Sequence, residues 1–217
     1  HDALPILRGK GSFVSKSPYS ISRTDTNDRP ISIGAIFPSV SSLIDQTYMM
    51  YLNELCQKNN YRLYSCCSQE NVRTEKELLN QYIKSGVQGT ILFPVVTEMN
   101  SPMITRLIHG SETAPPYPLV FIDRYLENTG GSYIISDNRQ GSRLAADYLL
   151  NAVGEQIAIL HFPLCNSTVT ERYDSFRAAF TSSGIPFTPK NDCMIDDLRL
   201  LDKSNENRIE YIMASIL

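Results

Sequence analysis

Residues 31–67 of the chain read ISIGAIFPSVSSLIDQTYMMYLNELCQKNNYRLYSCC. Residues 31–37 form an apolar run between two prolines, which predicts a buried strand. Residues 41–60 carry apolar side chains at helical spacing, and residues 61–67 predict a second strand. A strand, a helix and a strand in this order form a unit in which the two strands run parallel.

The same alternation continues along the rest of the chain. Further strands are predicted at residues 87–95, 119–123, 133–135, 156–162 and 193–195, and further helices at residues 70–85, 103–109, 139–152, 171–183 and 206–216. The strands are apolar runs without alternation of period two, which is typical of a parallel sheet covered on both faces. The predicted fold class is therefore α/β, and ligands of such sheets bind beyond the carboxyl ends of the strands.

Two groups of apolar residues in residues 31–67 predict the core. Phe37 is interpreted as a core residue, although an aromatic ring at a strand end could also stack on a sugar. The helix at residues 41–60 is expected to bury its apolar stripe, in particular Tyr48, Tyr51, Leu52 and Leu55.

Composition bounds the class of protein. The chain has 217 residues, a net charge of -3, 42% hydrophobic residues and 20% charged residues. These values suit one large domain or two modest ones, and they exclude a disordered chain and a wholly basic nucleic-acid coat protein. A small basic contact carried by an acidic body remains compatible with them.

Cysteine usage and targeting signals indicate the compartment. The chain has five Cys, an odd number, and no CxxC pair, which excludes zinc and thioredoxin-like sites by spacing and predicts free thiols in a reducing cytoplasm. No apolar run approaches the roughly 20 residues of a membrane span, and no signal peptide is visible. The sequence begins at His1 and stops within a predicted helix, so we expect it to be a piece of a longer protein.

The motifs of common catalytic and metal sites are not found. The three His have no carboxylate or Cys at metal-ligand spacing, there is no GxSxG sequence, and residues 9–12 depart from a phosphate-binding loop. We therefore expect no metal, no cofactor and no enzymatic activity.

Polar residues at predicted strand ends are candidate ligand contacts. Asp123 follows an apolar strand, where its carboxylate could accept hydrogen bonds from hydroxyl groups or could cap the next turn. Ser39, Ser41 and Asp45 follow the first strand, where together with Ser42 they could bind a ligand or cap the helix. Arg172 lies near a helix start, where its guanidinium could contact a ligand or pair with Glu171 or Asp174.

The first 30 residues differ from the rest of the chain in composition and in their pattern of apolar residues. Residues 1–14 predict a β-hairpin around Arg8-Gly9-Lys10-Gly11, and residues 15–30 are polar and Pro-containing, which indicates a linker. Arg8 and Lys10 could enter a DNA minor groove, and the alternative is a solvated basic turn.

Several of these stretches resemble known regulators. The sequences DNRQGSRLAADYLL, IAILHFP and ERYDSFRAAF (residues 171–180, with Ser175 where Gly is usual) resemble the effector domains of LacI/GalR-type regulators, and so do ISIGAIFPS and VFIDRYL. The stretch RGKGSFVS resembles the wing of a GntR-type winged helix. A GntR-type wing before a LacI-type effector domain resembles the arabinose-repressor subgroup.

The resemblance implies a periplasmic-binding-protein-like fold with two lobes of parallel sheet. Residues 1–14 would be the remnant of the winged helix, 15–30 the linker, 31–136 the first lobe and 137–217 an incomplete second lobe. Asp137 and Asn138 would form the hinge where the chain crosses between lobes, and one of them would cap the helix that follows.

The resemblance also implies the function. The protein would be a sugar-responsive transcriptional repressor and a homodimer, with a winged helix that binds operator DNA and lies mostly outside this sequence. Asp123 of the first lobe and Arg172 of the second would contact a sugar held between them. The alternatives are an extracytoplasmic sugar-binding protein, disfavoured by RGKGSFV and the unpaired Cys, and a sugar kinase or isomerase.

Overall fold

The computed structural model of the protein describes residues 30–95, 101–163 and 166–195. The predicted hairpin at 1–14 with Arg8 and Lys10, the predicted linker up to residue 29, and the predicted helix at 206–216 lie outside the described residues. The chain divides into two compact units, His1–Ser136 and Asp137–Leu217.

The first unit is built on one sheet of five parallel strands. Its elements are β1 (Ser32–Phe37), α1 (Leu43–Lys58), β2 (Arg62–Cys67), α2 (Val72–Lys84), β3 (Gly89–Leu92), α3 (Ser101–His109), β4 (Leu119–Ile122) and β5 (Ser132–Ile134). The strand order is β2-β1-β3-β4-β5, and every neighbouring pair is parallel. The predicted α/β class is confirmed.

Apolar side chains cover both faces of this sheet. On one face the core includes Ile36, Leu79, Leu92 and Phe121. On the other face Ala35, Phe37 and Phe93 form a cluster against which Tyr48 and Leu52 of α1 pack. Phe37 is only 1% exposed, so its interpretation as a core residue is confirmed.

Helix α1 buries a narrower stripe than its sequence predicts. Tyr51 and Leu55 are 54% and 55% exposed, so the prediction that both are core residues is wrong. Because consecutive helical residues are rotated by about 100°, Tyr51 points well away from Leu52, which packs on the sheet. The apolar stripe is therefore wider than the arc that the sheet covers.

The ends of α2 follow its local sequence. The side chain of Asn71 caps the helix by accepting hydrogen bonds from the backbone N–H groups of Arg73 and Thr74. Gly86, at φ +76°, follows the C-cap residue Ser85 in a left-handed conformation that a glycine adopts without strain. The predicted end of this helix at Gly86 is confirmed.

The second unit contains α4 (Asn138–Val153), β6 (Ile159–His161), α5 (Ser167–Ser182), a short 3-10 helix (Pro189–Asn191) and β7 (Asp192–Met194). Strands β6 and β7 pair in parallel. Its core is a cluster on the two long helices, formed by Ala146, Leu150, Phe176, Ala179 and Phe180. None of the helices in the described ranges is long and apolar enough to span a bilayer.

Helix α5 begins four residues earlier than its predicted start at Glu171. Asn166 caps it by accepting a hydrogen bond from the N–H of Val169 at 3.0 Å. The first turn contains Thr168, Val169 and Thr170, whose β-branched side chains disfavour a helix in isolation. The cap and the buried position of Thr168 offset that preference.

Candidate functional site

The carboxyl ends of the first unit's parallel strands lie at one edge of the sheet. We call this edge the sheet crest and define it by Ser39, Asp45, Phe93, Asp123 and Arg124. These residues follow β1, begin α1, and follow β3 and β4. The crest therefore gathers three of the predicted ligand contacts of the first unit with two residues that the sequence analysis did not select.

Asp123 sits at the centre of a tight turn that ends β4. Its backbone has φ +67°, and the N–H of Arg124 donates to the carbonyl of Ile122 at 2.8 Å across it. Such a turn around a residue with positive φ is rare and strained. The N–H of Asp123 donates to the carbonyl of Ile134 at 2.9 Å, which joins the turn to the end of β5. This strained position puts a half-buried carboxylate at the crest.

Arg124 adds a cation to the crest. Its guanidinium carbon lies 4.6 Å from the centre of the Phe93 ring, a geometry that favours a cation–π interaction. Its positive charge lowers the pKa of both Asp45 and Glu75, against the larger effect of burial in each case. Sequence reasoning missed Arg124, although its place directly after the strand-end Asp123 was available as a signal.

The serines after β1 have separate roles. Ser42 caps α1, because its Oγ accepts from the N–H groups of Ile44 and Asp45. Ser39 and Ser41 join their hydroxyl groups at 2.8 Å, and the N–H of Ser41 donates to the Oγ of Ser39 at 3.1 Å. Ser42 therefore fills the predicted capping role, and ligand contacts by Ser39 and Ser41 stay a prediction.

Asp45 lies in the first turn of α1 and is 4% exposed. Burial raises the pKa of its carboxyl group, and the negative charges of Asp123 and Glu70 raise it further, while the hydrogen bond with Ser42 and the charge of Arg124 lower it. Asp45, Asp123 and Arg124 are thus electrostatically coupled. That Asp45 touches a ligand stays a prediction.

Glu75 of α2 is a fully buried carboxyl group that the sequence analysis missed. Its Oε2 accepts a hydrogen bond from the N–H of Val95 at 2.6 Å. Burial raises the pKa of Glu75 to about 7, in spite of that hydrogen bond and the nearby charge of Arg124. The available signal was its spacing of four and seven residues from Leu79 and Tyr82, which lie on the buried side of α2.

In the second unit the structure brings Arg172 and Asn138 together. The Nε–H of Arg172 donates to the Oδ1 of Asn138 at 2.9 Å. Asp137 caps α4 by accepting from the N–H of Gln140 at 2.9 Å, so the predicted cap belongs to Asp137. The expectation that Arg172 and Asp123 of the other unit contact one ligand stays a prediction, as does the hinge role of Asp137 and Asn138.

In the described part of the chain, no group of three or more His, Cys, Asp or Glu side chains is arranged to hold a metal ion. The crest of the first unit carries hydrogen-bond acceptors together with the guanidinium of Arg124, which suits a ligand with many hydroxyl groups.

The parallel α/β sheet and the similarity to solved structures define the fold as periplasmic-binding-protein-like, as predicted. The solved transcription regulator CcpA of Lactococcus lactis superposes with a TM-score of 0.67 at 15% identity, over 87% of this chain and 72% of that chain. A galactofuranose binding protein superposes with a TM-score of 0.62 at 15% identity, over 76% of this chain and 56% of that chain. The fold is thus shared by regulators and by sugar-binding proteins.

The sequence is similar to bacterial transcriptional regulators. It is 24% identical over 192 residues to a protein of Paenibacillus polymyxa named "Probable HTH-type transcriptional regulator EndR", covering 88% of this chain and 54% of that protein. It is 26% identical over 176 residues to the repressor PurR of Pasteurella multocida, covering 81% and 51%. It is 26% identical over 152 residues to the arabinose metabolism transcriptional repressor of Geobacillus stearothermophilus, covering 70% and 40%.

The chain spans about half the length of the curated relatives it matches, 54% of EndR and 51% of PurR. No protein-family model matches it.

Proposed function

We propose that this chain is the effector-binding part of a sugar-responsive transcriptional repressor. The observation that carries the proposal is its alignment with three differently named repressors or regulators over 88%, 81% and 70% of its length. A parallel α/β sheet with polar residues at its crest suits the binding of a small hydroxylated molecule.

The proposed effector contacts are Asp123 on the crest and Arg172 on α5, supplemented by Ser39, Ser41 and Asp45. A carboxylate accepts hydrogen bonds from sugar hydroxyl groups, and a guanidinium donates to their oxygens. Each sugar hydroxyl both donates and accepts, so the two kinds of group bind complementary sides of one ligand.

The proposed mechanism couples this binding to DNA. Effector contacts made by both units would favour one arrangement of the chain around the hinge at Asp137 and Asn138. If that arrangement lowers operator affinity, linkage requires operator DNA to lower effector affinity by the same factor.

The DNA-binding part is proposed from the resemblance of RGKGSFVS to the wing of a GntR-type winged helix and from the similarity of the chain to an arabinose repressor. The proposed part is a GntR-type winged helix, with Arg8 and Lys10 at the tip of its wing against DNA phosphates. A protein of this kind acts in the cytoplasm, where operator DNA lies.

A homodimer is part of the proposal. Two-fold operators are bound by two-fold symmetric proteins. Helix α1 supports this, because Leu43, Met50, Tyr51 and Leu55 are each more than half exposed, and exposed apolar patches mark association surfaces. Sedimentation of Tyr51→Glu against native protein tests the assignment, with a monomer expected for the variant.

A second candidate function is that of an extracytoplasmic sugar-binding protein, which the structural similarity to a galactofuranose binding protein supports. The alignments with repressors favour the first candidate. Binding of the full-length protein to its upstream DNA, released by a sugar, would decide for the repressor.

The residue test uses Arg172→Ala in the full-length protein, titrated by calorimetry with D-ribose, L-arabinose, D-fructose and myo-inositol. Loss of a hydrogen bond to a charged group is worth roughly 1.5–3 kcal/mol, so affinity for the bound sugar should fall about ten-fold or more. Arg177→Ala removes the same charge from the same helix and should leave affinity unchanged. Equal affinity in both variants would remove Arg172 from the site.

A further inference from the structure

The side-chain amide of Asn138 joins two charged residues of α5. Its Oδ1 accepts from the Nε–H of Arg172 at 2.9 Å, and its Nδ2 donates to the Oε2 of Glu171 at 3.3 Å. An Arg side chain only donates and a carboxylate only accepts, so the orientation of the amide follows from its partners. Asn138 is 4% exposed, which protects both hydrogen bonds from water.

Glu171 holds the amide in this orientation. It is 6% exposed, and its Oε1 lies 3.5 Å from Nη2 of Arg139 in α4. A buried carboxylate is costly unless donors surround it, so rotation of the Asn138 amide, which would turn its oxygen toward Glu171, is disfavoured. The oxygen therefore stays aimed at Arg172.

A second contact from α4 fixes the backbone of the same arginine. The hydroxyl of Ser142 donates to the carbonyl oxygen of Arg172 at 2.6 Å. Arg172 is thus held at both its backbone and its Nε, although the residue itself is exposed. The guanidinium has five N–H donors, and among the described residues the bond to Asn138 uses only the Nε–H, so the four on the terminal nitrogens suit a ligand.

We propose that Asn138 is a positioning residue, which orients the guanidinium of Arg172 for the effector and ties it to the chain crossing at residues 136–137. This inference rests on the proposed function, because it takes Arg172 as an effector contact. An arginine ordered before binding does not lose its side-chain freedom when the ligand arrives, so part of the cost of binding is already met.

The position of Asn138 in the chain gives the link to the crossing. It is the first residue of α4 and directly follows Asp137, where the chain passes from one unit to the next. A change of backbone angles there moves Asn138, and through it the Nε of Arg172. Effector binding and the arrangement of the crossing would then be coupled in both directions.

The hydrogen bond between Asn138 and Arg172 is tested without any ligand, by NMR of the arginine Nε–H groups in the full chain. The variant Arg172→Lys assigns the Arg172 signal. The Arg172 signal should be protected from exchange in the native protein and lose that protection in Asn138→Ala. The internal control is the Nε–H of Arg143, which donates to Asp147 at 2.8 and 2.9 Å and should not change. An unchanged Arg172 signal would overturn the proposal.

A rescue experiment separates positioning from loss of folding. Asn138→Asp alone keeps an acceptor for the Nε–H of Arg172 but sets two carboxylates against each other, so protection of the Arg172 signal should fall by less than in Asn138→Ala. Asn138→Asp combined with Glu171→Gln again sets a donor against an acceptor at both contacts, because the Gln amide donates to the Asp carboxylate and the Asp carboxylate accepts from the Nε–H of Arg172. The double variant should recover protection of the Arg172 signal, and failure to recover it would count against the proposal.

The effector role is tested by calorimetry with D-ribose, L-arabinose, D-fructose and myo-inositol. Asn138→Ala should lower the affinity for the sugar that binds by about three- to ten-fold, and the double variant should restore most of that affinity. Released Nε–H protection with unchanged affinity would overturn the effector role of Asn138. If none of the four sugars binds the native protein, the sugar-binding function fails, and the NMR result separately decides whether Asn138 anchors Arg172.

Discussion

Asp123 combines two features at a single residue. It presents a carboxylate at the sheet crest, and its backbone adopts φ +67°, a conformation that costs a side-chain-bearing residue roughly 1–3 kcal/mol. A residue chosen for stability alone would be Gly at such a position. The carboxylate is therefore the reason to expect a function at this turn.

Replacement of Asp123 by Gly and by Ala separates these two features. Both variants lack the carboxylate and should lose sugar affinity equally. Ala keeps the backbone strain and Gly relieves it, so Asp123→Gly should be more stable to urea than Asp123→Ala by about 1 kcal/mol. Equal stability of the two would contradict the strained turn.

Asn128, at φ +58°, provides the matched control in the following turn. Asn128→Gly and Asn128→Ala should show a stability difference of the same sign, while sugar affinity stays at the native level. A loss of affinity in the Asn128 variants would mean that the turn as a whole, rather than the carboxylate, supports binding.

Glu75 predicts a pH dependence of stability. Its pKa is raised from 4.5 to about 7 in the folded chain, so the native state binds the proton more tightly than the unfolded state does. The contribution of Glu75 to the free energy of unfolding is then fully present below pH 4.5. It is lost as the pH rises through 7, by roughly 3 kcal/mol in total. Urea unfolding of native protein and Glu75→Gln at pH 4.5 and pH 8 measures this. The free energy of unfolding of the variant should rise relative to that of the native protein as the pH rises. Parallel pH profiles of this free energy would contradict the raised pKa of Glu75.

Individual site residues were predictable from the sequence to different degrees. The position of Asp123 was predictable, because a polar residue directly after an apolar strand lies at the end of that strand, and its contact with a ligand stays a prediction. The partner of Arg172 was not found, because Asn138 is 34 positions away and only the packing of α4 on α5 brings them together. Glu75 was not found, because its spacing from Leu79 and Tyr82 was the one signal and carboxyl groups are seldom fully buried.

At the scale of elements, apolar periodicity predicted the order and type of the described strands and helices. Their ends were less accurate, because caps decide them, as Asn166 does for α5. Burial was predicted worst on α1, where Tyr51 and Leu55 are exposed. Apolar spacing reports that a side chain avoids water, and it does not say which neighbour covers it.

The packing of α2 on the sheet depends on Gly34 of β1. Tyr82 of α2 lies against this glycine, and its hydroxyl donates to the carbonyl of Tyr64 in β2 at 2.9 Å. A Cβ added at Gly34 would overlap the Tyr82 ring. Gly34→Ala should therefore destabilise the protein by about 1–3 kcal/mol in urea unfolding.

Two further variants identify the cause of that loss. Gly34→Ala combined with Tyr82→Leu should cost less than the sum of the single variants, because the smaller side chain removes the overlap. Gly141→Ala, in α4, meets no atom within 4 Å and should stabilise the helix by up to about 1 kcal/mol. Additive losses at Gly34 and Tyr82 would show that the two do not clash.

At the scale of the whole molecule, the charge pattern predicts that DNA binding and effector binding are divided between different parts of the chain. The chain carries a net charge of -3, and phosphates repel such a body unless its cations are concentrated. The sequence predicts that concentration at Arg8 and Lys10, beside glycines that permit close approach to DNA. Effector binding is predicted elsewhere, beyond the polar residues 15–30.

This division predicts how salt affects DNA binding by the full-length protein. Phosphate contacts carry no direct sequence code, so a duplex of arbitrary sequence suffices, with its affinity measured by fluorescence anisotropy over a salt series. In Arg8→Ala/Lys10→Ala the slope of log affinity against log salt should fall by about one unit for each phosphate contact removed, while sugar affinity stays unchanged. Lys58→Ala/Arg73→Ala removes the same charge from exposed pairs on α1 and α2 and should keep the native slope. If both double variants change the slope equally, net charge alone governs DNA binding, and residues 8–11 are a solvated basic turn.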